Sequence, residues 1–180
     1  MKNNVLTKVA IIIAICIASV ALAIGFVTVT KLSNIKADKE KVTNAKYSLY
    51  FDKDSLKETI GGKAITDKKN TAVQGTNVTG IIALKEKGDT VTYTWNIINN
   101  GSVDAELIEM PTILGLQDNV KEAIGYELYI NDEKAHKGSI VEAGDITSAK
   151  LVIIYKKDTT ITIDPTTIQV VSTTLNFQQK

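Results

Sequence analysis

Hydrophobic and polar residues follow two different patterns along this chain of 180 residues. From Val9 to Val29 the sequence reads VAIIIAICIASVALAIGFVTV, a run of 21 residues without a charged side chain. From Asn44 onward, apolar residues tend instead to alternate with polar ones, which is the period of a β-strand with one buried face. The pattern therefore predicts an apolar N-terminal segment followed by a β-rich region.

The apolar run has the length of a membrane span. As a helix it would extend ~31 Å, and the hydrocarbon core of a bilayer is ~30 Å thick. We therefore predict an N-terminal signal-anchor or transmembrane helix at residues 1-31, which meets the lipid bilayer through residues 9-29. A polar stalk at residues 32-43 would carry an extracellular domain at residues 44-180.

The orientation and processing of this segment rest on a few residues. Two lysines precede the apolar run and four follow it closely, so the lysine count does not favour an inner N-terminus. A short charged N-terminal tail before a single apolar run nevertheless resembles a signal-anchor, so we predict an inner N-terminus and an outer domain. Ala21-Leu22-Ala23 matches a signal-peptidase site, so a cleaved, secreted chain is the alternative. The apolar run continues past Ala23, which favours an uncleaved anchor. Cys16 lacks the small preceding residue of a lipobox, so we interpret it as an apolar residue of the helix.

Seven strands are predicted in the β-rich region: Tyr47 to Phe51, Ala72 to Leu84, Val91 to Ile97, Val103 to Leu107, Tyr126 to Ile130, Leu151 to Tyr155, and Ile168 to Phe177. Leu116 to Ala123 is predicted to contain one or two helical turns. The fold class is thus mainly β: a single β-sandwich of jelly-roll or Ig-like type with about seven strands, preceded by one N-terminal transmembrane helix.

Turn residues separate the predicted strands. Asn99-Asn100-Gly101 is predicted to close a hairpin whose return strand begins at Val103, since Asn and Gly tolerate the positive φ of such turns. The other predicted breaks are Asp52-Lys53-Asp54, Gly61-Gly62, Gly88-Asp89, Asn131-Asp132 and Asp164-Pro165.

The amino-acid composition limits the fold class and the kinds of partner that we expect. Ile, Val and Thr supply 60 of the 180 residues, which favours strands. The 21 basic residues are all lysine and face 20 acidic ones, for a net charge of +1. Balanced charge without arginine argues against a nucleic-acid partner. A single cysteine excludes a disulfide scaffold.

Candidate chemistry is sparse. His136 is the one histidine of the sequence and lies near a predicted turn. The sequence around it does not indicate the acid and nucleophile that a catalytic triad requires. Asp52-Lys53-Asp54-Ser55 begins like a calcium loop, but Lys57 stands where an EF-hand needs glycine. We predict no catalytic, cofactor-binding or metal-binding residue, and no cofactor.

Four further residues have two interpretations each. Asn77 and Asn100 match the N-glycosylation pattern, although Asn100 also has a role in the predicted turn. Tyr93 and Trp95 share a strand face with Val91 and Ile97, so core packing is favoured over a platform that stacks sugars.

One segment carries a resemblance. Leu84 to Met110, LKEKGDTVTYTWNIINNGSVDAELIEM, resembles a hairpin of Gram-positive cell-surface β-sandwich modules. It is similar to the TasA/camelysin family of biofilm-matrix proteins and to Ig-like bacterial surface repeats. The matching positions are Gly88-Asp89, Val91 to Ile97 and Asn99-Asn100-Gly101, and IQVVSTTLNFQ looks like the closing strand of such domains.

The resemblance implies a role at the cell surface. We expect a membrane-anchored bacterial cell-surface protein with a structural or interaction role, and no catalysis. Its partners would be another protein or a second copy joined through edge strands. The alternative is a secreted, self-assembling biofilm-matrix subunit after signal cleavage, and a surface protease, as claimed for camelysin-type proteins, is the third hypothesis.

Overall fold

The computed structural model describes residues 46–180. The apolar run at residues 9-29, Cys16, the site at Ala23 and the stalk at residues 32-43 lie outside the described residues, as does the start of the predicted domain at Asn44.

The described part of the chain is mainly β. It holds twelve strands and two 3-10 helices, Lys68–Asn70 and Lys121–Ala123. The strands, in chain order, are β1 Leu49–Gly61, β2 Ile65–Thr66, β3 Ala72–Gln74, β4 Asn77–Ala83, β5 Thr90–Asn99, β6 Ala105–Leu107, β7 Ile124–Ile130, β8 Glu133–Lys134, β9 Ile140–Val141, β10 Ile146–Tyr155, β11 Gln169–Thr174 and β12 Phe177–Gln179.

All strand pairs in this region are antiparallel, and they form three sheets. The first sheet has the order β1-β5-β10-β7-β8. The second has the order β11-β4-β2, with β3 also paired to β4. The third has the order β12-β6-β9. Buried side chains from all three sheets belong to one hydrophobic core.

The central strand β5 shows how the sequence produces this core. Val91, Tyr93, Trp95 and Ile97 are each at most 1% exposed, and the threonines between them are half-buried on the other face. The Trp95 ring packs against Phe51 of β1 at 5.5 Å between ring centroids. The prediction that Tyr93 and Trp95 are core residues is confirmed.

The predicted hairpin at Asn99-Asn100-Gly101 is wrong. β5 is paired with β1 on one side and β10 on the other, so no edge of β5 is free for a return strand. The chain instead leaves the first sheet at Asn99, and β6 joins the third sheet between β12 and β9. Asn99 is fully buried at this corner.

Other predicted boundaries also change. Asp52-Lys53-Asp54 does not end a strand, because β1 continues through it with a bulge between Asp52 and Lys57. Ser55 fills the bulge, since its hydroxyl accepts from Asn96 N at 2.8 Å and donates to Asp52 O at 2.6 Å.

Two predicted single strands are each divided in two. Ala72 to Leu84 is a hairpin, β3 and β4, that turns at Gly75 with φ 62°. Ile168 to Phe177 is split into β11 and β12, which belong to different sheets. With three short strands that were not predicted, β2, β8 and β9, these divisions bring the number of strands in the described residues from seven to twelve. The breaks at Gly61-Gly62, Gly88-Asp89, Asn131-Asp132 and Asp164-Pro165 are confirmed, and the predicted helical turns reduce to Lys121–Ala123.

Candidate interaction surface

One side of the second sheet faces the core and the other faces solvent. On β4, Val78, Gly80 and Ile82 are buried, so the residues between them point outward. Residues directly opposite on a paired strand share the same face, which extends this assignment to the neighbouring strands. We call the outward set the second-sheet face. By strand register its members are Ile65, Ala72, Gln74, Asn77, Thr79, Ile81, Ala83 (itself buried), Leu114, Val170, Ser172 and Thr174. Ile168, which precedes β11 and is exposed, continues the alternation from Val170 and is included.

Leu114 joins this face through a short bridge beside β11. Its backbone N–H donates to Ser172 O at 2.8 Å, and Ser172 N donates back to Leu114 O at 3.1 Å. Ile113, the preceding residue, is buried, so that Leu114 points to the solvent side. The glycine that follows is required by this approach, because a Cβ on Gly115 would stand 1.9 Å from Val170 O.

The second-sheet face contains four of the large hydrophobic residues that are exposed in the described chain. Leu114 is 62% exposed, Ile168 61%, Ile65 50% and Val170 41%. Ile65 lies opposite Ala83, and Val170 lies opposite Ile81, so these side chains form neighbouring rows. Clustered exposed aliphatic residues are typical of interaction surfaces, whereas single ones are ordinary.

None of the residues of the second-sheet face carries a charge. The charged residues nearest to Ile65 in sequence are Lys63 and Asp67, and both bond to side chains outside this face. Lys63 Nζ lies 2.6 Å from Glu86 Oε1, and this hydrogen bond raises the pKa of Lys63. Asp67 accepts from Asn70 Nδ2 at 2.7 Å, which is the main reason that the pKa of Asp67 is lowered. The apolar character of the face is therefore not offset by an ion pair within it.

A shallow groove adjoins the face. It has a volume of about 250 Å³ and lies between the segment 109–114 and the residues Thr174 and Asn176. Leu114 and Thr174 belong to both the groove and the second-sheet face. The groove extends the surface that a partner could contact.

His136 and the aspartates of the candidate calcium loop lie elsewhere. His136 is exposed between β8 and β9, with Nδ1 3.4 Å from Ser139 Oγ. That hydroxyl also accepts from the His136 backbone N–H at 3.0 Å, so the contact belongs to a local turn. In the Asp52 bulge, Asp54 bonds to Lys53 at 2.8 Å. Residues 46–180 contain no group of three or more His, Cys, Asp or Glu side chains able to share a metal ion.

The two asparagines of the glycosylation pattern differ in environment. Asn100 is exposed, and its Nδ2 donates to the Tyr50 hydroxyl at 3.2 Å. Asn77 is half-buried on the second-sheet face, where its Oδ1 accepts from Ser172 Oγ at 3.1 Å.

Sequence reasoning from alternation missed the second-sheet face. The absence of charged residues could have indicated it, since the sequence has none from Thr71 to Leu84 or from Pro165 to Gln179. These two stretches become the paired strands β4 and β11 and their flanks. Two charge-free strands with polar residues only of the Thr, Ser, Asn and Gln types predict a sheet whose outer face is also uncharged.

In comparisons with known proteins, no protein family, no curated protein and no solved structure matched this chain. Within the described residues, no helix has the length and hydrophobicity needed to cross a membrane.

Proposed function

We propose that this chain is a membrane-anchored bacterial cell-surface protein with a structural or interaction role and without catalytic activity. The anchor would be the uncharged run at residues 9-29, and the domain that begins near residue 44 would face the extracellular side. The observation that carries the interaction role is the second-sheet face, which exposes four large aliphatic side chains and no charge.

The proposal includes a β-sandwich for the external domain. The inward residues of the second sheet, such as Val78 and Ile82, belong to the same core as Tyr93 and Trp95 of the first sheet. The Tyr93 hydroxyl reaches Gly80 of β4 across this core. A core shared by inward faces of separate sheets is the packing expected of a sandwich.

A chain that interacts at the outside of the cell would be accessible to added protease. Intact cells that carry an epitope tag after Lys180 should lose the tag on treatment with protease, while a cytoplasmic control protein stays intact. Retention of the tag on intact cells, with loss after lysis, would contradict the outward topology.

The anchor itself is tested separately from the topology. We expect the chain to stay in the membrane fraction after extraction with alkaline carbonate, and its intact mass to include residues 1–31. A mass that begins near Ile24, with release into the medium, would favour the secreted matrix subunit, for which the Ala21-Leu22-Ala23 site is the supporting observation.

A further inference from the structure

We infer that Asn100 is a site of spontaneous deamidation, and that the side chain of Asn99 limits the rate of this modification in the folded protein. Asn100 is the one asparagine of the sequence that is followed by glycine. In deamidation the backbone nitrogen of the following residue attacks the side-chain amide carbon, and glycine favours this attack because it has no Cβ to obstruct it. The reaction needs neither an enzyme nor a partner, so it is independent of the proposed anchoring.

The reaction uses only the atoms of Asn100 and Gly101 and those of water. Gly101 N loses its proton to hydroxide and bonds to Asn100 Cγ, and the side-chain nitrogen leaves as ammonia, so that a cyclic imide forms. Water then opens the imide at one of its two carbonyl carbons. Aspartate results when the bond from Gly101 N to Cγ breaks, and isoaspartate results when the bond from Gly101 N to the main-chain carbonyl carbon breaks. In both cases an amide and water have become a carboxylate and ammonium.

The fold requires the glycine that makes Asn100 reactive. A Cβ on Gly101 would stand 2.4 Å from the carbonyl oxygen of Lys46 and 3.1 Å from the backbone nitrogen of Ser48. Both are backbone atoms, which cannot rotate away as the end of a side chain can. A residue with a side chain at position 101 would slow deamidation, but it would also displace the segment that contains Lys46 and Ser48.

The amide of Asn100 is open to water, whereas the attacking nitrogen is restrained. Asn100 is exposed, and its side chain makes one hydrogen bond, to the Tyr50 hydroxyl at 3.2 Å. The Gly101 N–H, in contrast, donates to Asn99 Oδ1 at 3.0 Å. Asn99 is fully buried, and its Nδ2 is held by two backbone carbonyl oxygens at 3.0 and 3.1 Å. Attack on Asn100 therefore requires that the bond between Gly101 and Asn99 first opens.

Deamidation would change the corner in which it occurs. It replaces a neutral amide with a carboxylate, and isoaspartate also adds a methylene group to the main chain just before Gly101. Because Gly101 has no free space against Lys46, we expect the longer main chain to disturb the contact between Lys46 and Ser102. That contact consists of Ser102 N donating to Lys46 O at 2.8 Å and Lys46 N donating to Ser102 Oγ at 2.9 Å. The modification would thus loosen the start of the described domain.

The rate of modification in the full chain tests the site. The chain would be incubated in detergent at mildly alkaline pH, and mass spectrometry of the peptide that contains residue 100 would measure the replacement of –NH2 by –OH. Asn131 is the internal control, because it is also exposed but is followed by Asp132. We expect Asn100 to react faster than Asn131. We also expect Asn100 to react about tenfold or more faster in urea than in the folded chain, where the reaction waits for local opening.

Asn99→Ala separates the local restraint from the stability of the whole domain. We expect this substitution to raise the rate at Asn100 in native buffer by about tenfold or more, since Gly101 N is then free. Gly80→Ala is the matched control, because it should destabilise the contact between two sheets without touching the corner, and it should change the rate by less than about twofold. In the unmodified chain, the Gly101 amide hydrogen should exchange slowly with solvent, a measurement that needs no variant.

Each part of the inference can be contradicted separately. If Asn100 did not react faster than Asn131 in urea, the modification site would be wrong. Equal rates at Asn100 in the folded and the unfolded chain, or fast exchange of the Gly101 amide hydrogen, would overturn the restraint by Asn99. An equal increase in Asn99→Ala and Gly80→Ala would also overturn it, because protection would then come from the stability of the whole domain.

Discussion

The Tyr93 hydroxyl of β5 lies against Gly80 of β4, so that a Cβ on residue 80 would stand 2.2 Å from the Tyr93 oxygen and 2.7 Å from Cζ. Residue 80 must therefore lack a side chain for the two sheets to approach. We expect Gly80→Ala to lower the free energy of unfolding by about 1–3 kcal/mol, since the ring is held in the core and cannot withdraw.

Urea unfolding of the full chain, followed by the fluorescence of its single tryptophan, measures this cost. Gly125→Ala is a matched control, because Gly125 also lies in a strand and a Cβ there would meet only side chains, the nearest at 3.3 Å. Its effect should stay under about 1 kcal/mol. Equal losses in the two variants would show that the Tyr93 contact does not limit the spacing of the sheets.

The Tyr93 hydroxyl is buried and makes no hydrogen bond of normal geometry. The Thr71 hydroxyl lies near enough to lower the pKa of Tyr93, but it is directed to Glu58 Oε2 and Asp67 O. Burial raises the pKa of Tyr93, and the nearby Glu58 carboxylate raises it further, so the phenol stays neutral in the folded protein. Because no hydrogen bond is lost, we expect Tyr93→Phe to change the free energy of unfolding by less than about 1 kcal/mol, with a gain in stability as the favoured direction.

Tyr93→Phe should also reduce the loss of stability caused by Gly80→Ala, because it removes the hydroxyl oxygen, which is the atom nearest to the added Cβ. A double-mutant cycle measures this coupling, and the double variant should be more stable than the sum of the single effects predicts. If the effects of the two substitutions on the free energy of unfolding were simply additive, the clash introduced by Gly80→Ala would be with the ring carbons of Tyr93 and not with its hydroxyl.

The strand β5 was predictable because its pattern is local. Four apolar residues at every second position, from Val91 to Ile97, define both the strand and its buried face. The bend at Asn99 was not predictable in the same way, because Asn-Asn-Gly is compatible with a hairpin. What excludes the hairpin is β10, a strand some fifty residues later in the chain, which pairs with the remaining edge of β5.

The candidate surface depended on long-range pairing as well. Ile65, Val170 and Leu114 are far apart in sequence, and none belongs to a pattern that marks an exposed patch. They share one face of the sheet because β4 pairs with β2 on one side and β11 on the other, while the bridge at Ser172 adds Leu114. The absence of charge in both stretches was readable from the sequence, but their adjacency was not.

Trp95 is fully buried and packs against Phe51. We expect Trp95→Ala to cost about 3–5 kcal/mol, because it opens a large cavity in the core. Circular dichroism during urea unfolding is the suitable measurement, since the fluorescent residue is lost. Ile146→Ala, at a side chain that is 66% exposed, should be close to neutral, and a similar loss in both variants would contradict the central place of Trp95.

Asp89 joins the loop between β1 and β2 to the loop between β4 and β5. Its buried carboxylate accepts from the backbone N–H groups of Lys63 at 2.8 Å, Lys85 at 2.8 Å and Glu86 at 2.9 Å. Desolvation is the largest single influence and raises the pKa, but these hydrogen bonds and the Lys63 charge together outweigh it, so the pKa of Asp89 is lowered.

A lowered pKa in the folded state means that the carboxylate stabilises the fold above the unfolded-state pKa of ~3.9, and that this contribution is lost as the pH falls through the folded-state value. We expect Asp89→Asn to cost about 1–3 kcal/mol at neutral pH. The difference from the unmodified chain should shrink below pH ~4, as measured by urea unfolding across pH. A difference that is constant with pH would show that charge plays no part in this junction.

Asn99 holds the corner where the chain leaves the first sheet. Its Nδ2 donates to Val103 O at 3.0 Å and to Val141 O at 3.1 Å, and its Oδ1 accepts from Gly101 N at 3.0 Å. The neighbouring Asn100 is exposed and makes one side-chain bond, to the Tyr50 hydroxyl. The two adjacent asparagines can therefore be compared directly, because only Asn99 connects β5 of the first sheet to β9 of the third sheet.

We expect Asn99→Ala to cost about 2–4 kcal/mol, because it leaves several polar backbone groups without their partner in a buried site. Asn100→Ala should stay within about 0.5 kcal/mol of the unmodified chain. Urea unfolding followed by Trp95 fluorescence compares the two. If both substitutions were neutral, the path from β5 into β6 would have to be fixed by packing around Ala105 and Leu107 instead of by the Asn99 hydrogen bonds.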